Sequence, residues 1–296
     1  MNKKPASQSA FFNPRVLTGF VLCSLGILVA VFGFGAFPGA STSAQEPNQN
    51  QNPGNRHKVS VTDRQLVATL TSQGGRVIAD YGSFVLLAVN DSVANSRNAQ
   101  IVDENNLVLL NAARIDTTTP AAQAMRSARS AKAGKQMRLI QFAGPVRPEW
   151  YQALVATGVR VVTYIPTNAY LVYGTAQTLQ AVHALASNQS IAQWDGDYTA
   201  AYRLDPAITG QNKAPTQSNL SDKGNEQFVI QMVEDPAENV ATLALIEQLK
   251  LEPILQQDSM MGYTNVIVAL PKEAVIHQIA ERGDVVSIQQ WITPKL

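Results

Sequence analysis

The chain has 296 residues, of which 45% are hydrophobic, enough for one large domain or two to three small ones with well-filled cores. Its 23 basic and 22 acidic residues nearly balance, so the sequence offers no basic face and we expect no nucleic-acid partner. The only cysteine, Cys23, lies in an apolar N-terminal run, which excludes disulfides and cysteine-ligated metals from the rest of the chain.

The N-terminus is typical of an export signal. Three basic residues precede an apolar run from Val16 to Phe37, and small residues follow as far as Ala44. We therefore predict a signal peptide over residues 1–44 and a secreted or otherwise extracytoplasmic protein. The run also has about the ~20 residues needed to cross a bilayer, so an uncleaved anchor is the alternative. It is also the only membrane contact that we expect.

Polar, low-complexity stretches divide the remaining sequence. Residues 45–56 read as a disordered spacer, and residues 117–135 and 207–225 read as linkers. They separate three blocks, which are residues 57–116, 136–206 and 226–296.

The second block predicts the order strand, helix, strand, strand, helix, strand. A proline at the first helical turn and a glycine after the last turn mark its first helix. The predicted elements are Met137–Phe142, a helix between Pro148 and Gly158, a hairpin of Arg160–Ile165 and Ala169–Tyr173, a helix after Thr175, and Ile191–Trp194.

The third block repeats this order, and the first is a weaker copy. In the third block we predict strands at Phe228–Met232, Pro253–Leu255, Asn265–Leu270 and Val285–Ile288, with helices that begin at Pro236 and Pro271. In the first block we predict a helix at Gln65–Leu70, a hairpin of Arg76–Ala79 and Phe84–Val89, and two strands around a turn within Val102–Asn111. The sequence therefore predicts an α+β fold of tandem ferredoxin-like (βαββαβ) units, with antiparallel sheets and helices on one face.

Few residues are suited to catalysis or metal binding. A serine triad needs a base between a nucleophile and an orienting acid. His57 falls at the end of the predicted spacer, whereas His183 and His277 occupy equivalent places in two predicted helices without a nucleophile motif. Asp195 and Asp197 form the nearest approach to a metal-binding pair, but a turn after the strand explains them better. We predict no catalytic, cofactor-binding or metal-binding residues and no cofactor.

The second block is similar to a known kind of protein region. The sequences LIQFAGPV (139–146) and GVRVVTYIPTNAYLV (158–172), with Trp150 between them, resemble the N-terminal region of bacterial secreted subtilisin-like (S8 family) serine peptidases. In that family the region lies between the signal peptide and the catalytic domain. The resemblance is strongest over residues 137–200, extends to residues 226–296, and concerns only the architecture over residues 57–116.

The resemblance implies a pro-region. Propeptides of this family are ferredoxin-like units that pack a sheet face on the protease, assist its folding, and inhibit it with a C-terminal tail in the substrate cleft. The third block is then the docking unit, and its sheet the docking surface. The tail residues implied here are Ile292, Thr293, Pro294, Lys295 and Leu296.

The catalytic Asp, His and Ser segments of the family are not found in this sequence, so the resemblance implies a protein that is not an enzyme. It implies a propeptide-like inhibitor or folding chaperone of a subtilisin-type serine protease, the truncated N-terminal part of one, or half of a split protease. The alternative is a secreted protein-interaction module, built from repeated α+β units, that binds another extracellular protein.

Overall fold

The computed structural model describes residues 56–94, 98–126, 133–187, 191–210 and 226–292. Residues Gln51–Leu296 form one compact unit. The predicted signal segment and all of the predicted spacer except Arg56 lie outside the described residues, as do Thr293 to Leu296 of the predicted tail. Among the described residues, no helix is both long and apolar enough to cross a membrane.

The first unit, residues 56–101, contains six elements. They are β1 (Arg56–Val61), α1 (Arg64–Ser72), β2 (Arg76–Asp80), β3 (Val85–Asn90), α2 (Asp91–Ala94) and β4 (Ala99–Ile101). Asp63 caps α1, because its carboxylate accepts a hydrogen bond from the backbone N–H of Gln65 at 2.8 Å. His57, predicted to fall at the end of the spacer, lies in β1.

The segment that follows, residues 107–126, is here called the strap. A 3₁₀ turn at Asp103–Asn106 leads into it, and its elements are β5 (Leu107–Leu109), β6 (Arg114–Asp116) and α3 (Pro120–Met125). Within Val102–Asn111 the predicted turn and the strand after it are confirmed, but the predicted strand before the turn is wrong, and β5 pairs with β6 instead. Part of the predicted linker over residues 117–135 is α3, in which Ala122 is buried.

The second unit, residues 136–197, also contains six elements. They are β7 (Gln136–Phe142), α4 (Pro148–Val155), β8 (Arg160–Ile165), β9 (Ala169–Gly174), α5 (Ala176–Ser187) and β10 (Ala192–Asp197). Trp150 and Leu154 of α4 are buried, as their shared helix face predicts. Gly158, with a φ of 80°, adopts the left-handed conformation after α4 that glycine favours.

The third unit, residues 226–290, follows two short helices. These helices are α6 (Ala200–Arg203) and α7 (Pro206–Thr209). The elements of the unit itself are β11 (Glu226–Val233), α8 (Pro236–Leu249), β12 (Gln256–Met260), β13 (Tyr263–Leu270), α9 (Lys272–Ala274), a π-helical turn (Val275–Ile279) and β14 (Val285–Gln290). The strand predicted at Pro253–Leu255 is therefore wrong in position. The observed strand, β12, has the polar sequence QQDSM and almost no apolar residue to bury, so hydrophobic alternation does not predict it.

Each unit contains a four-stranded sheet with the same strand order. The orders are β2-β3-β1-β4, β10-β7-β9-β8 and β12-β13-β11-β14, and all neighbouring strands are antiparallel. The predicted α+β class with antiparallel sheets is confirmed. Within each sheet the central pair is the unit's first and third strands, an order consistent with a split βαβ unit.

Helices cover one side of each sheet, and we call the opposite side the outer face. In the first unit, Val59 and Leu87 pack against α1 residues such as Leu70. In the third unit, Phe228 packs with Ile246 of α8. These clusters use alternate residues of each strand, because successive side chains of a strand point to opposite faces.

Candidate protein-binding surface

The outer face of the first sheet is buried against the second unit. Leu86 and Ala88 of β3 belong to the cluster that contains Phe142 and Trp150. The Tyr81 hydroxyl donates a hydrogen bond to the Pro145 carbonyl at 2.7 Å. The first unit therefore uses its outer face for packing within the chain.

The outer face of the second sheet is covered by the strap. Leu139 of β7 packs with Val108 and Ala122, and all three side chains are buried. The indole N–H of Trp194 donates a hydrogen bond to the Ala122 carbonyl at 2.8 Å. This contact joins α3 to β10, so this outer face is also committed to internal packing.

The outer face of the third sheet differs from the other two. Phe228 is fully buried on the helical side of β11, whereas Val229 and Gln231 on the outer side are half-buried. Val229 lies opposite Ile267 of β13, and neither residue belongs to a hydrophobic cluster of the described residues. Only the end of this face near Val233 packs with the second unit. Ile267 is itself buried, at 6% exposure, so Val229 is the apolar side chain through which this outer face stays partly accessible.

A row of polar side chains crosses this outer face beside Val229. Gln231 Nε2 donates to Asn265 Oδ1 at 3.2 Å, and Asn265 Nδ2 donates to Asp258 Oδ1 at 3.1 Å. Gln256 Nε2 donates to Asp258 Oδ2 at 2.5 Å. The hydrogen bonds from Gln256 and Asn265 lower the pKa of Asp258. The row thus places one ionised carboxylate among amide groups.

The predicted tail begins at the rim of the same face. The backbone N–H of Trp291 donates to the Gln227 carbonyl at 2.8 Å, so the chain is still extended beside β11 after β14 has ended. Ile292, the first residue of the predicted tail, is 77% exposed. Thr293, Pro294, Lys295 and Leu296 lie outside the described residues.

Asp195 and Asp197 lie within β10, so the turn predicted for them is wrong. Asp195 is fully buried and accepts hydrogen bonds from Arg138 at 2.6 Å, from His183 at 2.9 Å and from Arg126 at 3.3 Å. Arg138 also donates to Asp197 at 2.5 Å. Because Arg138 of the neighbouring strand compensates both carboxylates, the pair can remain in a strand. Among the described residues, no group of three or more metal-binding side chains is brought together.

The other two histidines also contact carboxylates. His57 Nδ1 donates to Asp103 at 2.5 Å, and its Nε2 lies 3.2 Å from Asp91. The hydrogen bond that His57 donates to Asp103 raises the pKa of His57. His277 is exposed and lies 3.3 Å from Glu273, one helical turn earlier. The contacts of His57 with Asp91 and Asp103 hold its ring against the first unit.

Lys58 is a buried cation that the sequence analysis missed. Its side chain is 6% exposed, and its ammonium contacts the Asn105 carbonyl at 3.2 Å and the Gln193 side-chain oxygen. Burial lowers the pKa of Lys58 to about 7, and Arg76 adds to this effect while Asp103 opposes it. Lys58 therefore titrates at the junction of the first and second units.

Residues 109–199 match a protein family that is described as a domain of unknown function (DUF8729). The match begins at the last residue of β5 and extends just beyond β10, so it includes most of the strap together with the second unit. It covers less than half of the chain. A comparison with curated proteins found no match.

Proposed function

We propose that this chain is an exported, non-catalytic, propeptide-like protein that inhibits a subtilisin-type serine protease or assists its folding. The observation that carries the proposal is the outer face of the third sheet, which is partly accessible at Val229 and Gln231 and beside which the C-terminal segment leaves the fold. The other two outer faces are engaged within the chain. The third unit is therefore the one suited to docking on a partner.

The geometry suits two simultaneous contacts. The outer face offers the half-buried Val229 beside a polar row, a combination of apolar and polar groups that protein interfaces use. The chain is extended at Trp291, directly before the tail. The tail can therefore continue as an added strand in a protease cleft. Because the two sites are covalently linked, the face raises the effective concentration of the tail at the cleft.

A folding role rests on the same surface. Proteases with many non-local strand pairings fold slowly and expose aggregation-prone intermediates. A preformed sheet that binds the native protease and not its unfolded chain favours the folded state by mass action. The inhibitory and folding activities would then depend on one docking surface.

The experiment is inhibition of purified subtilisin-type proteases by residues 51–296, compared with a chain that ends at Trp291. That truncation removes Ile292 to Leu296 but keeps the hydrogen bond from Trp291 to Gln227. We expect inhibition by the longer chain and a loss of at least about a hundredfold on truncation, as for two linked sites. Digestion of the longer chain without inhibition would contradict the proposal.

The alternative function is a secreted interaction module that binds a different extracellular protein. Its support is the same accessible face, together with three units that pack in series. Such a module would bind its partner equally well without residues 292–296, so the truncation separates the two functions.

A further inference from the structure

The edge of the third sheet at β12 is exposed. Among the described residues, β12 pairs with β13 alone and ends the strand order of its sheet. Four of its five residues, Gln256, Gln257, Ser259 and Met260, are exposed. By contrast, a bridge between Leu204 and Ile288 covers the opposite edge of this sheet.

The hairpin geometry determines which backbone groups of β12 face outward. The turn after β12 consists of Met261 and Gly262, with φ values of 54° and 82°, as in a type I′ turn. In such a two-residue hairpin the flanking residues, Met260 and Tyr263, form a hydrogen-bonded pair. Because outward and inward groups alternate along a strand, the N–H and C=O groups of Gln257 and Ser259 point away from β13.

Within the part of the chain that the structure describes, this edge lacks the devices that normally prevent pairing with another chain. Edge strands are usually protected by lysine, proline, a bulge or a covering segment. β12 contains no lysine or proline, and its single charge, Asp258, is held by Gln256 and Asn265. Around it, Leu255, Met260 and Met261 are 61%, 65% and 88% exposed. Exposed methionine is typical of surfaces that adapt to a partner's side chains.

We infer that β12 binds an extended segment of another protein as a fifth strand, with a lysine or arginine of that segment opposite Asp258. The outward groups of Gln257 and Ser259 would supply the backbone hydrogen bonds of this β-augmentation. Asp258 lies between them at a site where directly opposed residues are closest, with Cα atoms about 4.5 Å apart. A cation of the bound segment would pair with Asp258 at the end of the polar row. Apolar residues on either side of that cation would contact Leu255 and Met260.

Charge argues against a second copy of this chain as the occupant. In the antiparallel register that uses all five residues of two β12 strands, Asp258 lies opposite its own counterpart. Like charges directly opposite one another destabilise a strand pair. The occupant that complements this edge is therefore a different, basic segment.

This inference does not depend on the proposed function. β12 and β14 lie at opposite edges of the sheet, so a strand on β12 leaves the tail free. A Ser259→Pro substitution should weaken strand binding without affecting protease inhibition. Removal of Ile292 to Leu296 should do the reverse.

The test uses residues 51–296 and a fluorescein-labelled nine-residue peptide of alternating valine and threonine with a central lysine, followed by fluorescence anisotropy. Ser259→Pro removes an outward N–H at an edge position that tolerates proline. Ser259→Ala is the matched control, since both variants lose the hydroxyl contact with Thr264 at 3.0 Å. We expect Ser259→Pro to weaken binding at least about tenfold relative to Ser259→Ala, because it removes a main-chain hydrogen bond and blocks the edge.

A second peptide with a central glutamate tests the charge. We expect it to bind about tenfold more weakly than the lysine peptide, because it places like charges opposite one another. Equal binding by both Ser259 variants, equal binding of both peptides, or no binding at millimolar peptide would overturn the inference. A dimer in sedimentation experiments that Ser259→Pro abolishes would overturn it in favour of a second copy.

Discussion

Replacement of Lys58 by methionine tests whether the junction of the first two units contains a destabilising buried charge. Methionine keeps a long apolar side chain but removes the ammonium of Lys58, a residue that is 6% exposed and contacts Asn105 and Gln193. The pKa of Lys58 falls from 10.5 in the unfolded chain to about 7 in the fold. One pKa unit equals ~1.4 kcal/mol, so this change corresponds to about 5 kcal/mol of destabilisation below pH 7.

The change in folding stability that Lys58→Met causes reverses its sign as pH rises. Between pH 7 and 10.5 the unfolded chain binds the Lys58 proton and the fold does not, so the wild-type chain gains stability as pH rises. Methionine removes this gain and also removes the donor to Asn105 and Gln193, at a cost of roughly 2–3 kcal/mol. We expect Lys58→Met to stabilise the chain by about 2 kcal/mol at pH 6 and to destabilise it by a similar amount at pH 10.

The assay is urea unfolding of residues 51–296 at pH 6, 8 and 10. Lys272→Met serves as the control, because Lys272 is exposed in α9 and its removal should leave the pH dependence unchanged. Destabilisation of Lys58→Met by the same amount at pH 6 and pH 10 would refute the reasoning. It would show that Lys58 acts only through its hydrogen bonds.

Two further substitutions test the second unit by the same urea unfolding assay. Asp195→Asn leaves the buried Arg138 with Asp197 as its remaining carboxylate partner and removes the charge that Arg126 and His183 contact. We expect a loss of roughly 2–4 kcal/mol, less than for a fully uncompensated buried charge, and a change below ~1 kcal/mol would contradict this. Gly196→Ala places a methyl group 2.5 Å from the Trp194 ring, and we expect a loss of roughly 1–3 kcal/mol from overpacking. Unchanged stability would mean that the indole can shift, although its N–H is bound to the Ala122 carbonyl.

The elements with local signals could be predicted from the sequence. Pro148 and Gly158 bound the first helix of the second unit, and Pro236 begins α8 with Asp235 before it. Apolar alternation identified strands such as β11. These signals work because caps, prolines and periodicity act over a few residues.

The elements that were missed depend on distant partners. β1 begins with Arg56, His57 and Lys58, which read as solvated residues, yet Lys58 is buried by a contact with Gln193, 135 positions away. The strap was read as a linker beyond residue 116, although Trp194 fixes it. The choice of the third block as the docking unit stays a prediction. The polar row could not be predicted from the sequence, because the strand that contributes Gln256 and Asp258 was predicted at Pro253–Leu255.

We propose that the outer face of the third sheet docks on a subtilisin-type protease. The most direct measurement compares protease inhibition by Val229→Arg, which charges that face, with Val240→Arg, which adds the same residue to the exposed side of α8. Val229 is half-buried on the outer face and Val240 is 66% exposed, so neither change disrupts a core. We predict at least about a tenfold loss of inhibition for Val229→Arg alone, as at an interface hot spot. Equal inhibition by the two folded variants would contradict the claim.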